Sequence, residues 1–382
     1  MSRSIFRRAP DRPWTTTRLT ECDLPLVRLP EVITARHRTL VTMRRRTLLL
    51  GLAGAAGAGS LAACTSGTTP PGTPAPSTSA PAASPATPSA SAAPILGSTA
   101  ASSLTPRPVT APYVPAPGSA PAQAFPLGRW ILSISRGDRA LPTQVLYPAA
   151  GTAPATPAPA DGAPPAPGRF PLVLFSHGLT SHPEGYAALL ARWAQAGFVV
   201  AAPKYPHTSY GAEKLDPTDI VNQPADASFL LDTLLTPGHA VTALVDPSRI
   251  AAAGHSAGGI TTVGLLSARR DERLKAAVVF AATDFQGMPF TGPSAAMLFV
   301  HGRRDTTVTH RAGHTVFEAV PWSRAMLSIT EGGHVTQGAD FEASTSASTE
   351  FLRWALYGDA AAKARIPEAA AKGRVATFEN QL

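Results

Sequence analysis

The sequence predicts an α/β fold with a mostly parallel β-sheet and helices on both of its faces. Short apolar runs alternate along the chain with segments of helical periodicity, as in a repeated strand–helix unit. The apolar runs are continuous, which is typical of strands that are buried on both faces. Near the middle, Gly254-His255-Ser256-Ala257-Gly258 lies between an apolar run and a helix-compatible run. This strand–turn–helix context is typical of a nucleophilic serine held on a sharp turn.

Each predicted element follows from a local pattern. Two β-rich runs open the folded part and are expected to pair in antiparallel fashion, whereas the later runs alternate with helices and are expected to be parallel. In the first helix, Tyr186, Leu189, Leu190 and Trp193 make one apolar face, and Gly197 suits the helix end. The predicted strands are 130–135, 143–147, 171–175, 198–202, 250–253, 276–281, 297–300 and 325–329. The later predicted helices are 224–235, 257–268, 309–319 and 346–357.

The positive charge of the chain is concentrated at its beginning. The formal net charge is +8, but residues 1–63 hold 11 arginines and four acidic residues, which leaves 22 basic and 21 acidic residues in the rest. A nearly neutral remainder predicts no basic patch, and we expect no nucleic-acid partner.

The beginning of the chain reads as an export signal. Met43-Arg44-Arg45-Arg46 precedes an apolar run that closes with Leu61-Ala62-Ala63-Cys64, which resembles a bacterial lipoprotein signal. The resemblance implies cleavage before Cys64 and a diacylglycerol on its sulfur. We expect an exported protein on the extracytoplasmic face of the cell membrane, attached by this lipid alone. The twin-arginine and general secretion routes, a transmembrane anchor and a misassigned start over residues 1–42 remain alternatives.

Residues 64–124 are predicted to be a disordered tether and residues 125–382 one folded domain. The segment 65–124 contains 14 prolines and is otherwise mostly Ala, Ser, Thr and Gly. A second Pro/Ala-rich segment, 148–168, is expected to be an exposed loop. The two cysteines, Cys22 and Cys64, lie before the domain, which therefore has no disulfide and no thiolate metal site.

The polar residues that follow the predicted strands indicate a catalytic triad. A serine hydroxyl needs a base to take its proton and a carboxylate to orient that base. Asp305 follows the strand 297–300 and His334 follows the strand 325–329, in the order Ser256, Asp305, His334. Because the carboxyl ends of parallel strands meet at one edge of the sheet, all three groups are expected there. Asp284, after the strand 276–281, is the alternative acid.

An oxyanion hole is expected from backbone N–H groups on two turns. The first belongs to Ala257, which follows the nucleophile, and the second to Leu179 in Ser176-His177-Gly178-Leu179. His177 is interpreted as a hydrogen-bonded support of this turn, because His334 has the position of the base.

Several spaced motifs together resemble a known family. Phe175-Ser176-His177-Gly178-Leu179, residues 197–203, residues 224–229 and the serine pentapeptide are similar to dienelactone-hydrolase-like serine esterases, and to platelet-activating-factor acetylhydrolases and bacterial polyester hydrolases. The resemblance covers residues 125–357. It implies carboxylic-ester hydrolysis through an acyl-enzyme. The strand–helix repeat itself predicts an α/β-hydrolase-like sheet, and we expect no cofactor. True dienelactone hydrolases carry cysteine where this chain has Ser256, and cutinase-like relatives carry a disulfide.

Two other function classes are alternatives to an ester hydrolase. An acyltransferase would use the same triad, and a tethered binding protein would need none of it. Only 12 residues separate Ala282 from Ala295, which predicts no large cap and an open cleft for lipid-like or polyester-like esters, as small molecules or polymers. Met288, Phe290 and Trp322 are either its apolar lining or ordinary core. We expect a monomer.

Paired histidines four residues apart were also considered as metal ligands. His310 and His314 fit one helix face, but a glutamate between them and a third ligand are missing, so no metal is predicted. His182, His207, His239 and His301 were assigned no role. Arg303 and Arg304 are expected at the surface, and Asp226 at the start of a helix.

Overall fold

The structure of the protein, a computed structural model, describes residues 108–287 and 289–382. The predicted export signal, the lipidation site Cys64, most of the tether and Met288 lie outside the described residues. No helix of the described part is long and apolar enough to cross a membrane.

The strands of the described residues are β1 Leu127–Leu132, β2 Ser135–Arg136, β3 Arg139–Ala140, β4 Thr143–Pro148, β5 Ala160–Asp161, β6 Phe170–Ser176, β7 Val199–Pro203, β8 Val245–His255, β9 Leu274–Phe280, β10 Ala296–Gly302, β11 Arg324–Ile329 and β12 Ala376–Gln381. Ten of them form one sheet in the order β12-β11-β10-β9-β8-β6-β7-β4-β1-β5, and β2 and β3 form a separate hairpin. The neighbours from β7 through β11 are parallel, whereas β4 runs antiparallel to β1 and β7, and β12 runs antiparallel to β11.

Six α-helices connect and cover these strands in the described residues. They are α1 Ala187–Gln195, α2 Gln223–Leu235, α3 Ala257–Leu266, α4 His310–Ala319, α5 Gly338–Tyr357 and α6 Ala360–Ala370. Short 3-10 segments occur at Pro183–Tyr186, Pro217–Asn222, Ala240–Ala243 and Lys372–Arg374.

The predicted fold class is confirmed, because a mostly parallel sheet lies between two helical layers in an α/β-hydrolase fold. Successive side chains of β6 point to opposite faces, so Leu172 and Leu174 enter one core cluster and Val173 and Phe175 enter the other. All seven residues of β6 are buried. This double burial explains why the strands read as continuous apolar runs. Between β9 and β10, the described part of 281–295 contains no helix or strand.

The end of the chain differs from the prediction. The helix expected at 346–357 begins at Gly338, and no sequence pattern predicted α6 or β12. Strand β12 pairs with β11 at the edge of the sheet and is only half-buried, with the sequence Ala-Thr-Phe-Glu-Asn-Gln. A short polar edge strand of this kind lacks the apolar run by which the central strands are recognised.

Contacts with the folded part begin before the predicted boundary between tether and domain at 124–125. The ring of Tyr113 packs edge-on against Trp354, and its hydroxyl donates to the carbonyl of Ala355. The backbone N–H of Ala120 donates to Asp359, in front of α6. The described residues before Phe125 therefore belong to the domain, because their apolar groups and N–H donors find partners on α5 and near α6.

Asp226 has a larger structural role than a position at a helix start. Its fully buried carboxylate pairs with Arg136 at 2.7 Å and with Arg139 at 2.6 Å, and Arg139 also binds Asp219. These ion pairs connect the β2–β3 hairpin to α2 and to the 3-10 segment before it.

Candidate active site

Ser256 lies on a strained turn between β8 and α3. Its φ of 55° and ψ of −119° are in a region that non-glycine residues rarely adopt. The flanking glycines permit this turn, since a Cβ at Gly254 would overlap the carbonyl of Gly258, and a Cβ at Gly258 would overlap the carbonyl of Ser176. The backbone N–H of Ser256 donates to Phe280 at 3.0 Å. The geometry is that of a nucleophile elbow.

Asp305 and His334 meet at the carboxyl ends of β10 and β11. Nδ1 of His334 donates to Oδ2 of Asp305 at 2.7 Å, and the aspartate side chain is fully buried whereas the imidazole is 20% exposed. The other carboxylate oxygen of Asp305 accepts the backbone N–H groups of Thr307 and Val308 at 2.8 and 2.9 Å. The carboxylate is thus fixed in the orientation that a base-orienting acid requires.

His301, which was assigned no role from the sequence, also contacts Asp305. Its Nε2 lies 2.8 Å from the carbonyl of Val308 and 3.3 Å from Oδ2 of Asp305. A carbonyl oxygen only accepts, so Nε2 carries the proton and points it at both oxygens. Burial alone would raise the pKa of Asp305, but hydrogen bonds from His301 and His334 lower it well below its usual range. The position of His301 in His-Gly-x-x-Asp was the available sequence signal.

Asp284, the alternative acid, has a different environment. Its Oδ1 accepts the backbone N–H of Gln286 at 3.0 Å and of Gly287 at 3.2 Å, which is the arrangement of a turn residue. Of the two carboxylates, the structure brings Asp305 and not Asp284 to His334.

The two predicted oxyanion donors lie on adjoining turns. Ala257 is the first residue of α3, and the close approach of Gly258 to Ser176 brings this helix start against the end of β6, which leads to Leu179. The N–H groups of Leu179 and Ala257 have no acceptor among the described residues. Two free backbone donors beside a nucleophile are the arrangement that binds an oxyanion.

His177 supports the turn that carries Leu179. The imidazole is fully buried, its Nε2 accepts the backbone N–H of Tyr205, and its Nδ1 lies 2.9 Å from the carbonyl of Gly178. Burial lowers the pKa of His177 to about 4, so it stays neutral at pH 7. This environment agrees with a structural role.

Two further sequence predictions concern the apolar lining of a cleft and the arginines beside Asp305. Phe290 and Trp322 are buried and pack edge to face, so they form core and do not line a cleft. Arg303 and Arg304 are exposed, and Arg304 pairs with Glu331.

The paired histidines of α4 have separate partners. His310 bonds the hydroxyl of Ser328, and His314 bonds Glu379. Within the described residues, no group of three His, Cys, Asp or Glu residues is arranged to hold a metal ion.

Ser256 is 9% exposed, and within 108–287 and 289–382 its hydroxyl makes no hydrogen bond, to His334 or to any other group. His255, its neighbour in the chain, has its ring centroid 4.9 Å from that of His334. The arrangement can supply a nucleophile, a base fixed by an acid, and two oxyanion donors.

Residues 144–290 match the protein-family model named Chlorophyllase. The matched range contains Leu179, Ser256 and Ala257 and ends before Asp305 and His334. No curated protein matches the sequence significantly. Together with the fold, the match indicates an ester hydrolase of the α/β-hydrolase type.

Proposed function

We propose that the protein is a carboxylic-ester hydrolase that acts through Ser256, His334 and Asp305. The observation that carries this proposal is the buried hydrogen bond from His334 to Asp305, at the strand ends where the strained Ser256 also lies. We further propose that it belongs with the dienelactone-hydrolase-like and platelet-activating-factor-acetylhydrolase-like serine esterases. The buried elbow glycines and the Leu179 turn support this placement.

The reaction would follow the two-step course of serine esterases. Nε2 of His334 takes the proton of Ser256 as Oγ forms a bond to the ester carbonyl carbon. The N–H groups of Leu179 and Ala257 stabilise the negative oxygen. The C–O bond to the alcohol then breaks, the leaving oxygen takes the proton from His334, and the acyl group remains on Ser256. Water, deprotonated by His334, then attacks the acyl carbon, the bond to Oγ breaks, Oγ takes the proton back from His334, and the acid is released.

The rim of the site favours bulky apolar esters. Two of the exposed large apolar side chains of the described residues, Tyr210 and Val335, are on loops next to site residues, with exposures of 55% and 58%. Val335 follows the base in the chain, and the N–H of Tyr210 donates to Ser181, two residues after Leu179. Apolar side chains on such a rim bind lipid-like or polyester-like groups by excluding water from them.

The substrate class is tested by a panel of esters of increasing acyl length, with a soluble polyester and the chlorophyll named by the matching family. We expect kcat/KM to increase with the apolar chain length of the ester. Tyr210→Ser and Val335→Ser should each make this increase smaller. Turnover confined to acetyl esters in all three proteins would contradict it.

Hydrolysis is distinguished from acyl transfer by the acceptor. Adding a primary alcohol to the ester reaction partitions the acyl-enzyme between water and alcohol. A hydrolase yields mainly free acid at millimolar alcohol. Mainly ester product would favour the acyltransferase alternative, and no acyl-enzyme at all would favour a binding protein.

The cellular location is a separate proposal, carried by Leu61-Ala62-Ala63-Cys64. We propose export and a diacylglycerol anchor on Cys64, because two acyl chains hold a protein stably on a membrane. Mass spectrometry of the mature protein should find a lipidated N-terminal Cys64, and Cys64→Ser should leave the membrane fraction. A mature wild-type protein without lipid would contradict this proposal.

A further inference from the structure

One chain of hydrogen bonds crosses the candidate site from the oxyanion turn to the base. The backbone N–H of Gly178 donates to the hydroxyl of Tyr186 at 3.0 Å, and this hydroxyl lies 2.9 Å from Nδ1 of His255. Nε2 of His255 lies 2.7 Å from the backbone carbonyl of His334. Residue 178 precedes the oxyanion donor Leu179, and residue 255 precedes the nucleophile.

The proton positions in this chain follow from the groups at its ends. The carbonyl of His334 can only accept, so Nε2 of His255 carries a proton. In a neutral imidazole Nδ1 is then an acceptor, and it takes the hydrogen of the Tyr186 hydroxyl. The oxygen of Tyr186 in turn accepts the N–H of Gly178. In this arrangement the Gly178 N–H, the Tyr186 hydroxyl and both imidazole nitrogens of His255 all have partners.

The surroundings hold His255 in its neutral form. The imidazole is partly buried, and burial lowers its pKa to about 4, with a further contribution from the neighbouring His334. Neutral His255 also avoids charge repulsion when His334, with its ring 4.9 Å away, becomes positively charged during catalysis. The ring of Tyr186 is fixed from the other side by Phe175, at a centroid distance of 4.7 Å.

We infer that Tyr186 and His255 are positioning residues that align the oxyanion turn, the nucleophile elbow and the loop of His334. This inference rests on the proposed function and concerns the same site. Neither side chain touches the reacting atoms in this account. Their hydrogen bonds instead fix the distances between three loops that come from β6, β8 and β11. A misplacement of about 1 Å between such groups costs about 100-fold in rate.

Gly178 lies where these groups converge. A Cβ at residue 178 would come 3.0 Å from the hydroxyl of Tyr186 and 3.1 Å from Nδ1 of His255. Glycine therefore permits the oxyanion turn to approach the pair this closely.

The inference is tested with Tyr186→Phe, His255→Leu and His255→Gln in the full chain. A fluorophosphonate titrates the reactive serine, so that kcat is expressed per active site. The first two variants should lose about 10- to 100-fold in kcat per titrated site, with KM within about threefold of the wild type. The inhibition constant of a trifluoromethyl ketone, which forms a tetrahedral adduct, should rise in parallel. His255→Gln should recover part of the loss, because its amide can donate to the carbonyl of His334.

Tyr113→Phe is the matched control, because it also removes a tyrosine hydroxyl bonded within the domain, to Ala355 in α5. Its kcat per titrated site should equal that of the wild type. If Tyr186→Phe and His255→Leu keep kcat per titrated site and the ketone affinity within about twofold of wild type, the inference is wrong. Should His255→Leu fail to fold, Tyr186→Phe, which loses a single oxygen atom, decides alone. A wild-type protein that the fluorophosphonate does not label at Ser256 would overturn the proposed function itself, and with it this inference.

Discussion

Nδ1 of His334 donates a 2.7 Å hydrogen bond to Oδ2 of Asp305, across 29 residues of sequence and between two neighbouring strand ends. This bond fixes which imidazole nitrogen carries the proton, and it leaves Nε2 to act as a base. The carboxylate is buried and accepts two backbone N–H groups on its other oxygen. It is therefore held as an anion beside the imidazole that becomes charged in the proposed reaction.

The first prediction separates the two candidate acids. Asp305→Asn should lower kcat by about 10⁴-fold, the value the serine proteases show for the corresponding change. Asp284→Asn is the matched control, since its carboxylate caps a turn at Gln286 and Gly287, and it should retain most of the activity. Steady-state kinetics on the folded proteins measures both losses of kcat. A larger loss in Asp284→Asn than in Asp305→Asn would show that Asp284 is the acid that orients His334.

The second prediction concerns the ion pairs of Asp226. Arg139→Ala should lower the free energy of unfolding by about 3 kcal/mol, because it leaves the buried Asp226 short of a partner. Arg129→Ala is the control, because its partner Asp161 is largely exposed, and it should lower the free energy of unfolding much less. Urea unfolding measures both free energies of unfolding. Equal losses in the two variants would contradict the burial of Asp226.

The third prediction is a loss of stability in mild acid. Folding lowers the pKa of His177 to about 4, below its unfolded value of 6.5. Between these two pH values the unfolded chain therefore binds a proton that the folded chain does not bind. Stability should therefore fall as the pH decreases from 6.5 towards 4. His177→Gln should make the decline shallower by up to about 1.4 kcal/mol per pH unit. Identical slopes for the two proteins in urea titrations would contradict a neutral buried His177.

The fourth prediction concerns the segment before Phe125. A chain that begins at residue 108 should be more stable than one that begins at residue 125, by at least about 2 kcal/mol, because the longer chain keeps Tyr113 packed on Trp354. Thermal unfolding of the two proteins compares them directly. Equal melting temperatures would show that the boundary between tether and folded domain lies at 124–125, as the sequence predicts.

Much of the fold was predictable from the sequence because its signals are local. The buried strands read as apolar runs, and a polar residue after each run marks a strand end, which is how Asp305 and His334 were selected. The remaining interactions depend on contacts between distant residues. Tyr186 was predicted from helix periodicity as part of an apolar face, and nothing local indicates that its hydroxyl reaches His255, 69 residues later.

The same reason explains the other features that were missed. The partners of Asp226 are 87 and 90 residues away, on a hairpin whose two strands have only two residues each and no sequence signature. Tyr113 lies in a Pro/Ala-rich segment whose composition predicts disorder, although the ring finds an apolar partner on α5. Composition describes a segment by itself, whereas burial depends on the surface that the rest of the chain provides.

The proposed activity requires a reactive hydroxyl at Ser256. Mass spectrometry after treatment with a fluorophosphonate measures this requirement most directly, with folded Ser256→Ala as the comparison. We expect one adduct per wild-type molecule, on the peptide that contains Ser256. The variant should form no adduct and lose ester turnover by several orders of magnitude. An adduct on another residue, or undiminished turnover by folded Ser256→Ala, would contradict it.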